Sequence, residues 1–206
     1  MPSAWRVASW TGEWLRGRSR AGVLCAYVLV GALVSAPLEG QEIALPEEQQ
    51  VSLYARLLPF DRHLMGRGGD EIVIGVLYQA DFRESVRSKD AFLDAAGTLS
   101  MIGDVPTRFV MINASGSNGL KEVAAATEIH VLYVAPLRAI DLLGVRSLCE
   151  QYQISSITGV PEYVDRGIAV GIGERGGKPE ILVNSDTADA IGIDFDSRFL
   201  RLVTLR

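Results

Sequence analysis

The chain has 206 residues with 20 basic and 25 acidic side chains, a net charge of −5 and a pI near 5.1. That acidic balance argues against a nucleic-acid partner, which calls for Lys and Arg clustered along one face. Two cysteines in the whole length exclude a small disulfide-stapled scaffold.

Residues 1–40 read as a secretory signal peptide. Arg6, Arg16, Arg18 and Arg20 lead into a run from Ala21 to Ala36 that carries no charge, and the small residues Ala36 and Gly40 place cleavage near 36–40. The run is shorter than the roughly 20 residues that span a bilayer. Its removal leaves 16 basic against 23 acidic residues, a net charge of −7, and Cys149 as the remaining cysteine. Cys149 then has no intramolecular partner and is expected as a buried thiol in a helix. Residues 41–206 are long enough for one domain with its own core.

Glu47 and Glu48 open an expected helix through Val51, Tyr54 and Leu58, since acidic residues suit a first turn, and Pro59 ends or kinks it before a short turn at Arg62–Met65. Ile72–Tyr78 is nearly continuous apolar sequence, the mark of a strand covered on both faces. Phe82–Ala96 is an expected helix with Phe82, Val86, Phe92 and Leu93 inward, and Arg108–Asn113 a strand. A short helix is expected over Leu120–Ala126 and a strand over His130–Ala135. A helix over Leu137–Tyr152 is expected to turn Ile140, Leu143, Leu148 and Tyr152 inward, before a strand at Ile154–Gly159. Asn184 can cap a helix over Ser185–Ile191, and a last helix is expected over Ser197–Leu205. Strands alternating with helices predict an α/β fold, a mostly parallel sheet sandwiched by helices.

Between Ile168 and Val183 the chain reads GIGERGG flanked by apolar runs. G-x-G-x-x-G after a strand is a dinucleotide signature only when a helix follows, because the helix N-terminus holds the pyrophosphate. Pro179 and the extended Glu180–Val183 allow no helix, so the expectation is an antiparallel β-hairpin with glycines at positive φ and no cofactor.

No G-x-S-x-G, P-loop or H-E-x-x-H is present. His130 lies in an apolar strand and is expected as a hydrogen-bonded core residue, and His63 as a solvated or capping one. Asp186 with Asp189, and Asp194 with Asp196, are too sparse for a calcium loop. No catalytic or metal residue is therefore assigned. One loop offers a ligand site: Asn113, Ser115, Gly116, Ser117, Asn118 and Gly119 follow a strand end and open a helix, where open α/β sheets bind ligands and where free N–H groups can take an anion.

Several local strings resemble the YfiR-like family of secreted bacterial proteins. They are Arg166–Gly171, Gly177-Lys178, Pro179–Asn184 with Ala188, Gly192-Ile193, Ser197 and Leu200 after it, and upstream His130–Val134, Ile74–Leu77 and Ser52–Phe60. Ile129 stands where the family often has a cysteine. The resemblance implies a periplasmic regulator without enzymatic activity, which binds the periplasmic part of a membrane-anchored diguanylate cyclase or a sensor kinase and leaves room for a homodimer. A periplasmic receptor for a small ligand or anion, using the loop at Asn113–Gly119, is the alternative, and a secreted hydrolase the least supported reading. Trp5, Trp10 and Trp14 all lie in the leader, so protein recovered from the periplasm is expected to show tyrosine-type emission. Tryptophan emission from that material would show that the leader is retained.

Overall fold

Ile72–Tyr78 forms β1, an interior strand, buried at every position but its last. In the computed structural model the described residues are 42–115, 120–121, 128–138 and 141–206. Before β1 come α1 (Glu47–Leu57), a 3₁₀ turn at Leu58–Phe60 and α2 (Arg62–Arg67). After it come α3 (Arg83–Ala96), β2 (Met101–Ile102), β3 (Val105–Asn113) and β4 (Val131–Val134). The chain continues with α4 (Leu142–Tyr152), β5 (Ser155–Thr158), α5 (Glu162–Asp165), β6 (Val170–Arg175) and β7 (Lys178–Val183). It closes with α6 (Ser185–Ile191), α7 (Ser197–Leu200) and β8 (Thr204–Leu205).

The described strands make one sheet in the order β2-β3-β1-β4-β5-β6-β7-β8. β3, β1, β4, β5 and β6 run parallel, β2 and β7 pair antiparallel with β3 and β6, and β8 lies parallel to β7. The expected α/β class and the antiparallel hairpin are both present. β3 and β4 flank β1, so the chain reverses its direction across the sheet there.

On one face, Phe92 of α3 stacks on Tyr133 of β4 with ring centroids 3.8 Å apart, and Tyr133 donates its hydroxyl to Gln50 Oε1 of α1 at 3.2 Å. Tyr54 of α1 donates to the Thr158 carbonyl at 2.5 Å. These buried polar groups are each satisfied, so α1 and α3 are placed by direction as well as by apolar contact. The opposite face carries Ser156, which bonds the buried Cys149 of α4, and α4 packs on α6. Burial pushes the Cys149 thiol up to about 12, which leaves it protonated and inert at neutral pH.

Five boundaries or faces differ from expectation. α3 turns Ser85, Ser88, Phe92 and Ala96 inward, and Phe82 and Val86 stay half-buried; Ser85 accepts a bond from the Gln79 N–H and Ser88 meets the Tyr133 hydroxyl, so polar satisfaction outweighs apolarity there. β3 starts three residues earlier than Arg108, in a hairpin with β2 turned at Gly103. α4 starts at Leu142, not Leu137, because Asp141 caps it by accepting from the Leu143 N–H at 3.0 Å. Its inward row is Leu142, Val145 and Cys149, with Leu143 exposed and Leu148 and Tyr152 half-buried; Ile140 lies outside the described residues. The last helix stops at Leu200, and the Arg206 N–H donates to the Val183 carbonyl at 2.8 Å, returning the terminus to the sheet edge as β8. Of the helix expected at Leu120–Ala126, only Leu120 and Lys121 are described, and they are helical.

The GIGERGG stretch is β6 and its turn. Gly176 and Gly177 take φ of 60° and 75°, as a two-residue primed turn demands. Gly171 serves another need: a Cβ there would lie 2.3 Å from Val164 Cγ2, so the missing side chain lets α5 pack on β6. The expected positive φ thus holds for the turn glycines and not for Gly171 or Gly173.

One buried carboxylate ties distant parts together. Asp61, 1% exposed, accepts on Oδ1 from the His63, Leu64 and Asp194 N–H groups and on Oδ2 from the Ser155 hydroxyl. Replacing it by Ala strands those donors, and an unmet buried donor costs about 1–3 kcal/mol. The Asp61→Ala variant is therefore expected to lose about 2–4 kcal/mol in a urea unfolding curve, and an unchanged midpoint would refute the role.

Candidate functional site at the carboxyl edge of the sheet

β1, β3 and β4 end together at Tyr78, Asn113 and Val134, and the loops that follow them meet where the sheet changes direction. Open α/β sheets hold ligands at such a point because the diverging loops leave a crevice lined with strand-end polar groups. Asn113 Oδ1 accepts from the Ala80 and Ser115 N–H groups at 3.1 and 3.0 Å. Ser115 Oγ accepts from the Ala80 N–H at 3.0 Å and donates to Asp81 Oδ1 at 2.6 Å. Of the candidate loop, Asn113 and Ser115 are thus brought together, and both already bind the neighbouring loop. Gly116, Ser117, Asn118 and Gly119 lie outside the described residues.

Asp81, Gln79, Phe82 and Arg138 join this edge, and none is read as a site residue from the sequence, Phe82 being expected in the core. Gln79 Oε1 accepts from the Arg138 N–H at 2.5 Å, and the Arg138 guanidinium lies 4.7 Å over the Phe82 ring. The Ser115 hydroxyl, the Asp81 backbone N–H and the charge of Arg138 hold the Asp81 carboxyl below the usual carboxylate range. The edge therefore presents an ionised carboxylate, a guanidinium and an aromatic ring side by side. Their signal in the sequence was position alone, since Gln79–Phe82 follow β1 directly, just as Asn113–Gly119 follow β3.

The two histidines stand elsewhere. His63 Nδ1 bonds the Gly192 carbonyl at 2.5 Å, at the residue that caps α6, which is the expected capping role. His130, 7% exposed, accepts on Nδ1 from the Val73 N–H at 3.0 Å, the hydrogen-bonded core position expected. Burial first of all pushes its pKa down, against a smaller opposing effect of Glu128. Asp194 and Asp196 face Arg62, at 3.7 and 2.9 Å, while Asp186 and Asp189 ride on α6. Among the described residues no group of three His, Cys, Asp or Glu is placed to hold a metal ion. A second surface feature is apolar: Phe60, 44% exposed, stacks on Phe199 at 5.3 Å, beside the exposed Leu200 and the 77% exposed Leu202.

These features define an α/β domain whose diverging carboxyl-edge loops gather polar side chains, the class of open-sheet α/β domains. Its fold is similar to that of the ABC domain from Streptococcus pneumonia solved in complex with L-Trp, with a TM-score of 0.55 and 14% identity over 78% of this chain. It is also similar to a conserved domain protein from Vibrio cholerae O1 biovar El Tor, with a TM-score of 0.53 and 16% identity over 79% of this chain. The chain spans 61% and 60% of those two proteins, and at such identities the likeness is one of fold. No curated protein matches the sequence.

Residues 109–204 match the YfiR/HmsC-like family, DUF4154. The chain is similar to that family over this span, which takes in most of β3 and everything from β4 into β8 and contains the strings from His130 to Leu200. The match does not reach the upstream strings at Ser52–Phe60 and Ile74–Leu77.

If the Ser115 hydroxyl is the main cause of the low Asp81 pKa, Ser115→Ala raises it toward the ordinary value. Carboxyl-carbon NMR titration of Asp81 reads this directly, and identical titration curves in wild type and variant would refute the assignment.

Proposed function

We propose that this protein is a non-enzymatic periplasmic regulator that acts by contact with the periplasmic part of a membrane signalling protein, such as a diguanylate cyclase. The observation that carries the reading is the YfiR/HmsC-like match over 109–204. The chemistry of the described residues agrees with it. The thiol is inert, the histidines cap and support the fold, and the Ser115 hydroxyl is tied to the Asp81 carboxylate. Contact signalling needs an exposed apolar face instead, and Phe60, Leu200 and Leu202 supply one inside or beside the matched span. The leader at 1–40 would deliver the protein to the periplasm, and among the described residues no helix is long and apolar enough to cross a membrane.

Cross-linking in living cells tests this. Capture of an inner-membrane protein bearing a cyclase or kinase domain is expected, together with a change in cytoplasmic cyclic-di-GMP when the regulator is deleted. Leu202→Asp, on a side chain with little packing to lose, is expected to reduce capture several-fold while leaving the melting temperature unchanged. Absence of any such membrane protein from the cross-linked material would sink the proposal.

A second reading, a periplasmic receptor for a small ligand or anion, rests on the Asp81, Arg138 and Phe82 cluster beside the Asn113–Gly119 loop. A panel that includes L-Trp, the compound in one fold neighbour, would raise the melting temperature in this case, and Ser117→Glu would abolish the rise. No shift from any ligand removes the reading.

A further inference from the structure

At the opposite, amino edge of the sheet two side chains hold buried donors with no acceptor. Arg67, the last residue of α2, donates from Nη1 to the Gln153 carbonyl at 2.5 Å. Its Nε and Nη2 are buried and have no hydrogen-bond partner, and no ion pair among the described residues includes it. Nε–H and Nη2–H are the parallel donors on one side of the guanidinium, the fork that grips two oxygens of one oxyanion. Guanidinium N–H donors sheltered from water without an acceptor are costly, so the arrangement favours an incoming anion.

His130 adds a third donor. Its Nδ1 accepts from the Val73 N–H, so the hydrogen of the neutral ring sits on Nε2. Nε2 is likewise buried and unpartnered. Glu128 lies 4.0 Å away, and the Arg67 backbone is close enough to raise the ring's pKa. A protonated Nε2 has no lone pair for a metal, so the ring selects an acceptor and not a cation.

Both residues line one groove of about 410 Å³ beside the amino ends of β1 and β4, a size suited to a small molecule. Three carboxylates share this groove. Glu71 is held by Arg108 at 2.8 Å, while Asp70 and Glu128 stand exposed. Their charge opposes a multiply charged ion and leaves a single negative charge as the best fit.

From this geometry we infer that the groove takes the carboxylate of a small soluble ligand, its two oxygens on the Nε and Nη2 fork of Arg67 and one of them also on Nε2–H of His130. The donors lie beneath the groove wall, so uptake involves a turn of the Arg67 side chain on its flexible stem, against the single Gln153 contact. The site is separate from both the apolar face and the carboxyl-edge loops, and its fate does not depend on either reading of the function.

The test is a ¹H–¹⁵N NMR titration of the full processed protein with sodium acetate, matched in ionic strength by sodium chloride. A saturable shift of the Arg67 Nε–H and His130 Nε2–H signals is expected with acetate and not with chloride. Arg67→Lys, which keeps the charge and loses the fork, is expected to weaken acetate binding about tenfold or more, and Lys178→Gln on the hairpin turn to leave it unchanged. Equal, non-saturating shifts in both salts would overturn the site, as would an unchanged affinity in Arg67→Lys. Tighter binding of inorganic phosphate than of acetate at pH 8 would overturn the monocarboxylate class.

Discussion

The fold depends most on the buried Asp61 carboxylate. Asp61 caps α2 through the His63 and Leu64 N–H groups, takes the Asp194 N–H from the far end of the chain, and receives the Ser155 hydroxyl from the start of β5. A capping aspartate usually serves its own helix and solvent. This one is sealed from water, and its remaining lone pairs are filled by residues 94 and 133 positions away. It therefore sets where the C-terminal segment crosses α2, and with it the places of Phe195, Phe199 and the exposed apolar side chains beside them.

From that knot the two edges of the sheet acquire different characters. At the carboxyl edge polar groups are paired: Asn113, Ser115, Asp81 and Gln79 hold one another's loops in place. At the amino edge Arg67 and His130 are fixed by one bond each and keep their other donors unmatched. Paired groups give shape and unpaired ones give affinity, because only the latter gain a hydrogen bond when an acceptor arrives. The carboxyl edge follows the rule for open sheets, whereas the amino edge owes its chemistry to the place where α2 happens to end.

Much of this fold was legible in the chain, for local reasons. β1 declares itself by unbroken apolarity, α6 by the Asn184 cap and the Gly192 stop, and the hairpin by the Gly176-Gly177 turn. The misreadings share a cause. Leu143 looks like core and is exposed, while Ser85 and Ser88 look like surface and are buried, because which face of a helix turns inward depends on polar partners on other elements. β8 was read as helix because a two-residue edge strand has no periodicity, and only its pairing with Val183 makes it a strand. Of the candidate site, Asn113 and Ser115 were visible as loop residues after a strand. Asp81 and Arg138 were not, since nothing in their surroundings marks them until β1 and β4 lie side by side.

The sequence by itself determined the α/β class, the alternation of the main strands and helices, the hairpin in place of a dinucleotide loop at GIGERGG and the YfiR-like resemblance, since each rests on spacing, turn chemistry or local strings. Only the tertiary structure decided which polar groups are satisfied. Asp61 becomes a junction, Ser115 a partner of Asp81, and Arg67 a cation without a counter-charge through contacts between residues far apart in the chain, and hydrogen-bond partners at that distance leave no trace in local pattern.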